Sequence, residues 1–175
     1  MKKTIALGLA LVCVMGLLAG CGRADTTADT APADNSAGAA QTASAGEIPA
    51  DSILLYLEGD EGCAALMEDM AAGRIPVACN VLYDEGGGRP MVDVTDAETV
   101  TELYHLLAQV TVAGPTQESV TDCYHHIVFT LQDGSSVGFS FEGDIWCCGS
   151  AADARAKVEN TQALWRLVRE LQDAS

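Results

Sequence analysis

The sequence predicts one α+β domain over residues 51–175, with a small antiparallel sheet and about three helices. Residues 123–148 alternate apolar and polar side chains around short turns, which is typical of antiparallel strands. Residues 95–110 carry apolar side chains at helical spacing, and so does the segment that follows Asn160. Strands combined with segregated helices, without an internal repeat, indicate the α+β class.

The first part of the domain is expected to hold a strand, a helix and a hairpin. The strand covers "SILLYLE", and the helix runs from Asp60 to Ala72 with Gly73 as its C-cap. Two strand-like segments, "VACNVLY" and "PMVDV", flank the Gly-rich turn "DEGGGR". This arrangement predicts an antiparallel hairpin.

The next helix is predicted to begin at "TDAE", where Thr95 is the expected N-cap and Glu98 completes a capping box. Its apolar face contains Val100, Leu103, Leu106, Leu107 and Val110. Near the C-terminus, "RAKVE" is a candidate edge strand, and Asn160 is the expected N-cap of a closing helix. The inner stripe of that helix contains Leu164, Leu167, Val168 and Leu171, with Trp165 expected to cover the sheet.

The register of the central hairpin follows from the requirement for a single apolar face. A three-residue loop, Gln132 to Gly134, satisfies that requirement if Gly134 adopts a left-handed conformation. The resulting pairs are Leu131 with Ser135, Phe129 with Val137, Ile127 with Phe139, and His125 with Phe141. A two-residue loop would instead divide the apolar side chains between two faces. Gly143 and Asp144 then lead into a third short strand, residues 145–148.

The charge balance excludes one class of partner. The 175 residues include 9 Lys and Arg against 25 Asp and Glu, which gives a formal net charge of -16. Lys2 and Lys3 are the only charged residues among the first 20, so removal of that segment would make the charge -18. Such a surface repels phosphate backbones, and nucleic-acid binding is therefore not expected.

The N-terminus has the pattern of an export segment. The basic tip Lys2–Lys3 precedes an uncharged run from Ile5 to Gly20, which is shorter than the roughly 20 residues of a membrane-spanning helix. The run ends in "LAGC", residues 18–21. This ending resembles the lipobox of bacterial lipoproteins, with a Leu, a small residue, Gly and Cys in order.

The resemblance implies that residues 1–20 are a signal peptide cleaved before Cys21, whose sulfur then carries a diacylglycerol. Two or more acyl chains anchor a protein stably, so the domain is expected at the extracytoplasmic face of a cell membrane. Gly22 follows Cys21, so the Asp that retains some lipoproteins in an inner membrane is absent. Which membrane carries the anchor stays open.

Residues 21–50 are expected to form a disordered tether that begins at the lipidated Cys21. The segment is dominated by Ala, Thr, Ser, Asp and Gly, and Ile48 is its only large aliphatic residue. It cannot bury enough apolar surface to offset the loss of chain entropy. As a flexible coil it would reach about 30 Å from the anchor.

Cysteine is unusually frequent for an exported domain. Five thiols remain after Cys13 and Cys21 are set aside, and these are Cys63, Cys79, Cys123, Cys147 and Cys148. They allow two disulfides with one thiol left over. The other interpretation is that several are small buried hydrophobic residues.

A Cys and His cluster provides a candidate metal site. Its members are Cys123, His125, His126, Cys147 and Cys148, ligands that suit zinc or cuprous copper. However, consecutive strand residues such as His125 and His126 point to opposite faces, and the spacing matches no closed zinc pattern. No cofactor is therefore predicted, and a metal-binding or thiol redox protein is the alternative hypothesis.

No catalytic constellation is visible. Ser136 lies in a G-x-S-x-G match, but strand-like residues follow it where a nucleophile elbow requires a helix. Trp146 is the best single contact residue for a partner, provided that it is exposed. The sequence thus predicts a non-enzymatic binding domain for an unidentified protein, peptide or envelope component.

Overall fold

A computed structural model describes residues 47–56, 60–148 and 154–175. The predicted leader, Cys21 and most of the predicted tether lie outside these residues. Within them, the chain forms a seven-stranded antiparallel sheet and four helices. The α+β class is confirmed, although the sheet is larger than predicted. None of the helices in these ranges combines the length and the apolar character needed to cross a membrane.

The strands form one sheet in the order β2-β1-β4-β5-β6-β7-β3. Their bounds are β1 Ala78–Asp84, β2 Val92–Val94, β3 Thr111–Pro115, β4 Tyr124–Thr130, β5 Ser136–Glu142, β6 Ile145–Cys147 and β7 Arg155–Glu159. The helices are α1 Ile53–Tyr56, α2 Glu61–Ala71, α3 Ala97–Ala108 and α4 Gln162–Asp173.

The predicted hairpin register is confirmed. His125 pairs with Phe141, and the other three predicted pairs follow in step along β4 and β5. Gly134 closes the loop with a φ of 85°, a left-handed conformation that favours glycine. The requirement that the apolar side chains share one face therefore predicted the register correctly.

The first predicted strand is wrong. Ser52 makes a single bridge to Thr111, and residues 53–56 then form the helical turn α1. The Ser52 hydroxyl donates to the Ala108 carbonyl and accepts from the Leu54 amide. Ile53 and Leu54 are both fully buried. A strand covered on one face cannot bury two consecutive side chains, whereas a helical turn can.

Both predicted helix caps are displaced by one residue. Asp96, not Thr95, caps α3, because its carboxylate accepts from the Thr99 amide at 2.9 Å. The residue before α4 is Thr161, and Asn160 adopts a φ of 62°. The Asn160 side-chain amide donates to the Thr111 hydroxyl at 3.1 Å. This contact with β3 takes the place of a capping hydrogen bond to α4.

The predicted edge strand "RAKVE" forms β7 but lies inside the sheet, between β6 and β3. The edge strand on this side of the sheet is β3, which the sequence did not predict. Gly114 and Pro115 interrupt its apolar pattern, and the register shifts between Val112 and Gly114. Such irregularity is typical of an edge strand.

The core lies between one face of the sheet and the helices. Residues that alternate along β1, β4 and β5 enter one cluster with apolar side chains of α2, α3 and α4. Fully buried members include Phe129, Phe139, Phe141, Leu103, Leu107 and Leu164. Ile48, within the predicted tether range, also packs partly buried against this cluster.

The opposite face of the sheet is partly covered by the segment that follows β3. In that segment the Ser119 hydroxyl donates to the Glu142 carboxylate, and Glu118 forms an ion pair with Lys157. Arg155 links the same layer by donating to Glu142 at 2.5 Å. These contacts hold the segment against β5 and β7.

Candidate functional site

The strongest candidate site is a cavity of about 290 Å³ between the sheet and α4, called here the aromatic cavity. Its lining comprises Tyr83, Glu85, Cys123, His125, Gly143, Asp144, Thr161, Gln162, Trp165 and Arg169. Its volume is at the lower end of the range for ligand pockets, roughly 300 to 1,000 Å³. It therefore suits a small ligand or one side chain of a larger one.

The aromatic wall follows from sheet register. Tyr83 of β1 pairs directly with His125 of β4, and both side chains lie on the helix-covered face. Their rings stack with centroids 4.0 Å apart and planes 8° apart. Trp165 of α4 packs over this pair, with its centroid 5.0 Å from that of His125. The wall is therefore built on rigid elements.

Two nitrogen atoms in this wall lack a hydrogen-bond partner within the described part of the chain. They are His125 Nδ1 and Trp165 Nε1, in residues only 3% and 6% exposed. A buried polar atom without a partner costs about 1 to 3 kcal/mol. Unsatisfied groups are rare in native proteins and call for a structural or functional explanation. Their location beside one cavity is the main reason for selecting it.

Charged side chains surround the opening. The Arg169 guanidinium carbon lies 5.1 Å from the Tyr83 ring centroid, a cation–π distance. The Tyr83 hydroxyl donates to Glu85 at 2.7 Å. Burial, followed by Glu85, raises the pKa of Tyr83, so the phenol stays protonated at neutral pH. The opening thus presents charges of both signs.

His125 is held in its neutral form. Burial lowers its pKa, and the Tyr124 backbone and the nearby carboxylates of Glu85 and Asp84 only partly oppose that effect. A neutral imidazole can offer either a donor or an acceptor at Nδ1, according to its tautomer. The imidazole therefore contributes an uncharged ring to the cavity wall.

The structure brings together only part of the predicted Cys and His cluster. Cys123 and His125 both line the aromatic cavity. His126 instead lies on the opposite face, where its Nδ1 is 2.9 Å from the Ser140 hydroxyl. Cys147 pairs with Ser140 on that same face, and Cys148 follows the end of β6. Among the described residues, no three His, Cys, Asp or Glu side chains form a metal-binding group.

The five thiols of the described chain are free. Burial raises the pKa of both Cys63 and Cys79 to about 12, and Asp60 adds to the effect at Cys63. Burial also raises the pKa of Cys147 and Cys148. Because the thiolate is the reactive form, these four are poor nucleophiles. Cys63, Cys79 and Cys148 are buried, which agrees with the interpretation that several of the cysteines are small buried hydrophobic residues.

The expectation that Trp146 could be exposed is wrong. Its side chain is 2% exposed and packs edge-on against Tyr56, with centroids 5.8 Å apart. The cause is register, because Trp146 pairs with the inward-facing Phe141. It therefore contributes to the core and offers no contact surface.

Ser136 is an exposed residue at the start of β5. The chain continues as a strand through Glu142, so the helix of a nucleophile elbow does not follow it. This placement agrees with the strand-like residues that the sequence shows after Ser136.

A second depression, of about 550 Å³, lies between α2 and α3. Its lining is mostly apolar and includes Ile48, Met67, Met70, Ile75 and Tyr104. It offers few polar groups to orient a ligand. The aromatic cavity is the better candidate because its polar and charged groups converge.

Of the residues that line the cavity, sequence reasoning assigned only Cys123 and His125 to a site; those it missed include Tyr83, Glu85 and Arg169. Tyr83 could have been found from its strand position, since it continues the inward alternation of Cys79 and Val81. Arg169 follows Trp165 by four residues, which places both on one face of a helix. Nothing local in the sequence shows that β1 and α4 meet.

Comparison of the chain with known protein families, curated proteins and solved structures finds no match.

Proposed function

We propose that this chain is a lipid-anchored extracytoplasmic lipoprotein whose domain binds a small ligand in the aromatic cavity without transforming it. The anchor rests on the "LAGC" motif and Cys21. The binding role rests on one observation: two buried nitrogen atoms that have no partner among the described residues belong to side chains lining a cavity that also holds charges of both signs.

Binding is preferred over catalysis because the hydrogen bonds at the cavity pair no nucleophile with a base among the described residues. His125 is neutral. The phenol of Tyr83 stays protonated and donates a hydrogen bond to Glu85. Neither group is paired with a nucleophile among the described residues. Rigid aromatic walls with a few polar groups are typical of recognition sites.

The two tryptophans permit a direct test. Trp165 lines the cavity, whereas Trp146 is buried elsewhere in the core. In ¹⁵N-labelled full-length protein in detergent, we expect millimolar L-phenylalanine, phenethylamine or 3-phenylpropionate to shift the indole N–H signal of Trp165 but not that of Trp146. If none of the three compounds moves the Trp165 signal selectively, the proposed binding site is wrong.

A metal-binding role is the second candidate. Cys123, His125, Glu85 and Asp144 are possible ligand types that line the same cavity, but no three of these described side chains converge as a metal-binding group, so a cation would have to draw them together. Elemental analysis of the purified protein, before and after exposure to zinc, tests this role. Zinc retained at one equivalent by the native chain and lost in Cys123→Ala would support it over the small-ligand role.

A further inference from the structure

We infer that the ligand of the aromatic cavity is a free zwitterionic amino acid with a flat or large apolar side chain, whose carboxylate binds Arg169. This inference rests on the proposed function of the cavity. It adds the chemical class of the ligand and assigns a role to each charged group at the opening.

Arg169 is the first argument. Of the four other arginines in the described chain, three have acidic partners (Arg74 with Asp69, Arg89 with Asp173, and Arg155 with Glu142), and the fourth, Arg166, is exposed and lies outside the cavity lining. Arg169 has no such partner among the described residues, although Glu85 and Asp144 line the same cavity. Its Nε donates to the Trp165 carbonyl, and its guanidinium lies over Tyr83. These contacts position the guanidinium and leave its terminal nitrogens for a ligand.

A carboxylate is the matching group. The planar guanidinium fork offers parallel donors to the two oxygens of a carboxylate, which is the strongest common geometry for this side chain. Phosphate would also fit the fork. However, the net charge of -16 disfavours a ligand that is negatively charged overall. A neutral zwitterion presents a carboxylate without that long-range repulsion.

The acidic residues supply the second half of the site. One Glu85 oxygen accepts from the Tyr83 hydroxyl, so its other oxygen can accept from a ligand ammonium. Asp144 lies in the turn between β5 and β6, exposed at the same cavity. Groups of opposite charge at one opening match the two ends of an α-amino acid.

The aromatic wall of the cavity determines which side chain the ligand can carry. Tyr83, His125 and Trp165 line a volume of about 290 Å³, and the half-buried Tyr83 is the most exposed of the three. Aromatic rings gain about 0.5 to 1.5 kcal/mol from stacked or edge contacts beyond simple burial. This volume suits a single amino acid better than a folded partner. A phenyl or similarly flat side chain therefore suits the wall.

The test compares three compounds that differ only in their charged groups. L-Phenylalanine has both charges, phenethylamine lacks the carboxylate, and 3-phenylpropionate lacks the ammonium. By calorimetry on full-length protein in detergent, we expect L-phenylalanine to bind at least about tenfold more tightly than either analogue, a factor typical of one lost charged contact.

Two substitutions on α4 provide a matched pair. Arg169→Gln is expected to reduce the affinity for L-phenylalanine to that of phenethylamine, and Arg169→Lys to give an intermediate loss, because Lys keeps the charge but lacks the fork. Arg166→Gln, an exposed position outside the cavity lining, should leave the affinity within about twofold. Circular dichroism would establish that the variants are folded.

The outcomes separate the two levels of the proposal. If phenethylamine or 3-phenylpropionate binds as well as L-phenylalanine, and Arg169→Gln changes nothing, the zwitterion assignment is overturned while the cavity remains a binding site. If no compound binds and the Trp165 signal does not move, the proposed function itself is overturned.

Discussion

The imidazole of His125 lies flat against the phenol ring of Tyr83, with centroids 4.0 Å apart and planes 8° apart. The two residues are direct cross-strand partners of β4 and β1. This pair links the stability of the sheet to the shape of the aromatic cavity, because Trp165 and Arg169 of α4 pack over it. Substitutions at His125 should therefore change both the stability of the sheet and the shape of the aromatic cavity.

Stability should fall as the pH drops below neutral. Burial lowers the pKa of folded His125 below its ordinary 6.5, so the unfolded chain takes up a proton first. The contribution of His125 is thus complete above about pH 6.5 and is lost as the pH falls toward the folded pKa. Urea unfolding at pH 7.5 and 5.5 measures this loss. His125→Gln should reduce the difference between the two pH values, and an unchanged difference would contradict the assignment.

Trp146 should be a major core residue. Trp146→Ala is expected to lower the free energy of unfolding by about 3 to 5 kcal/mol, as for other large buried aromatic residues. Trp146→Phe should lower the free energy of unfolding by a smaller amount. This variant can be measured even if the alanine variant does not fold. Tyr124→Ala, at a position 47% exposed, is the control and should cost less than about 1 kcal/mol. Equal losses for Trp146→Ala and Tyr124→Ala would refute the buried placement.

The ion pair of Arg155 and Glu142 should stabilise the sheet more than a surface pair does. Its side chains are only 24% and 22% exposed, and the Ser119 hydroxyl also donates to Glu142. Glu142→Gln is expected to cost about 1 to 3 kcal/mol in chemical unfolding. Asp173→Asn breaks the more exposed pair with Arg89 and should cost less than about 1 kcal/mol. A smaller loss for Glu142→Gln than for Asp173→Asn would be inconsistent with this placement.

The buried thiols should react slowly. Cys63 and Cys79 are buried and their pKa values are raised to about 12, so we expect little labelling by a thiol reagent in native protein at pH 8. Full labelling should follow denaturation without a reductant. Peptide mapping by mass spectrometry distinguishes each position. Resistance to labelling after denaturation, reversed by a reductant, would instead indicate disulfides.

Cys21 should carry the lipid. Bacteria that express the wild-type chain with a labelled fatty acid are expected to incorporate the label, and Cys21→Ala should abolish incorporation. Cys13→Ala is the matched control within the leader and should leave labelling intact. Persistent labelling of the Cys21→Ala protein would refute the lipobox assignment, even if an uncleaved leader kept it in the membrane.

The central hairpin was predictable because its information is local. Gly134 and the apolar alternation on both sides leave one register that keeps Phe129, Phe139 and Phe141 on a single face. The segment at Ile53 was not predictable in this way. An apolar run of that length suits a strand or a buried helical turn equally well. The contact of Ser52 with Ala108, 56 residues away in sequence, decides between them.

The sequence by itself determined the α+β class, the hairpin register and the segments that form α2, α3 and α4. Periodicity and turn chemistry act over a few residues and can be read directly from the chain. Tertiary structure alone decided that β7 is internal, that Trp146 is buried and that Tyr83, His125, Trp165 and Arg169 meet at one cavity. These outcomes depend on which strands and helices become neighbours, and that choice is made by packing between residues far apart in sequence.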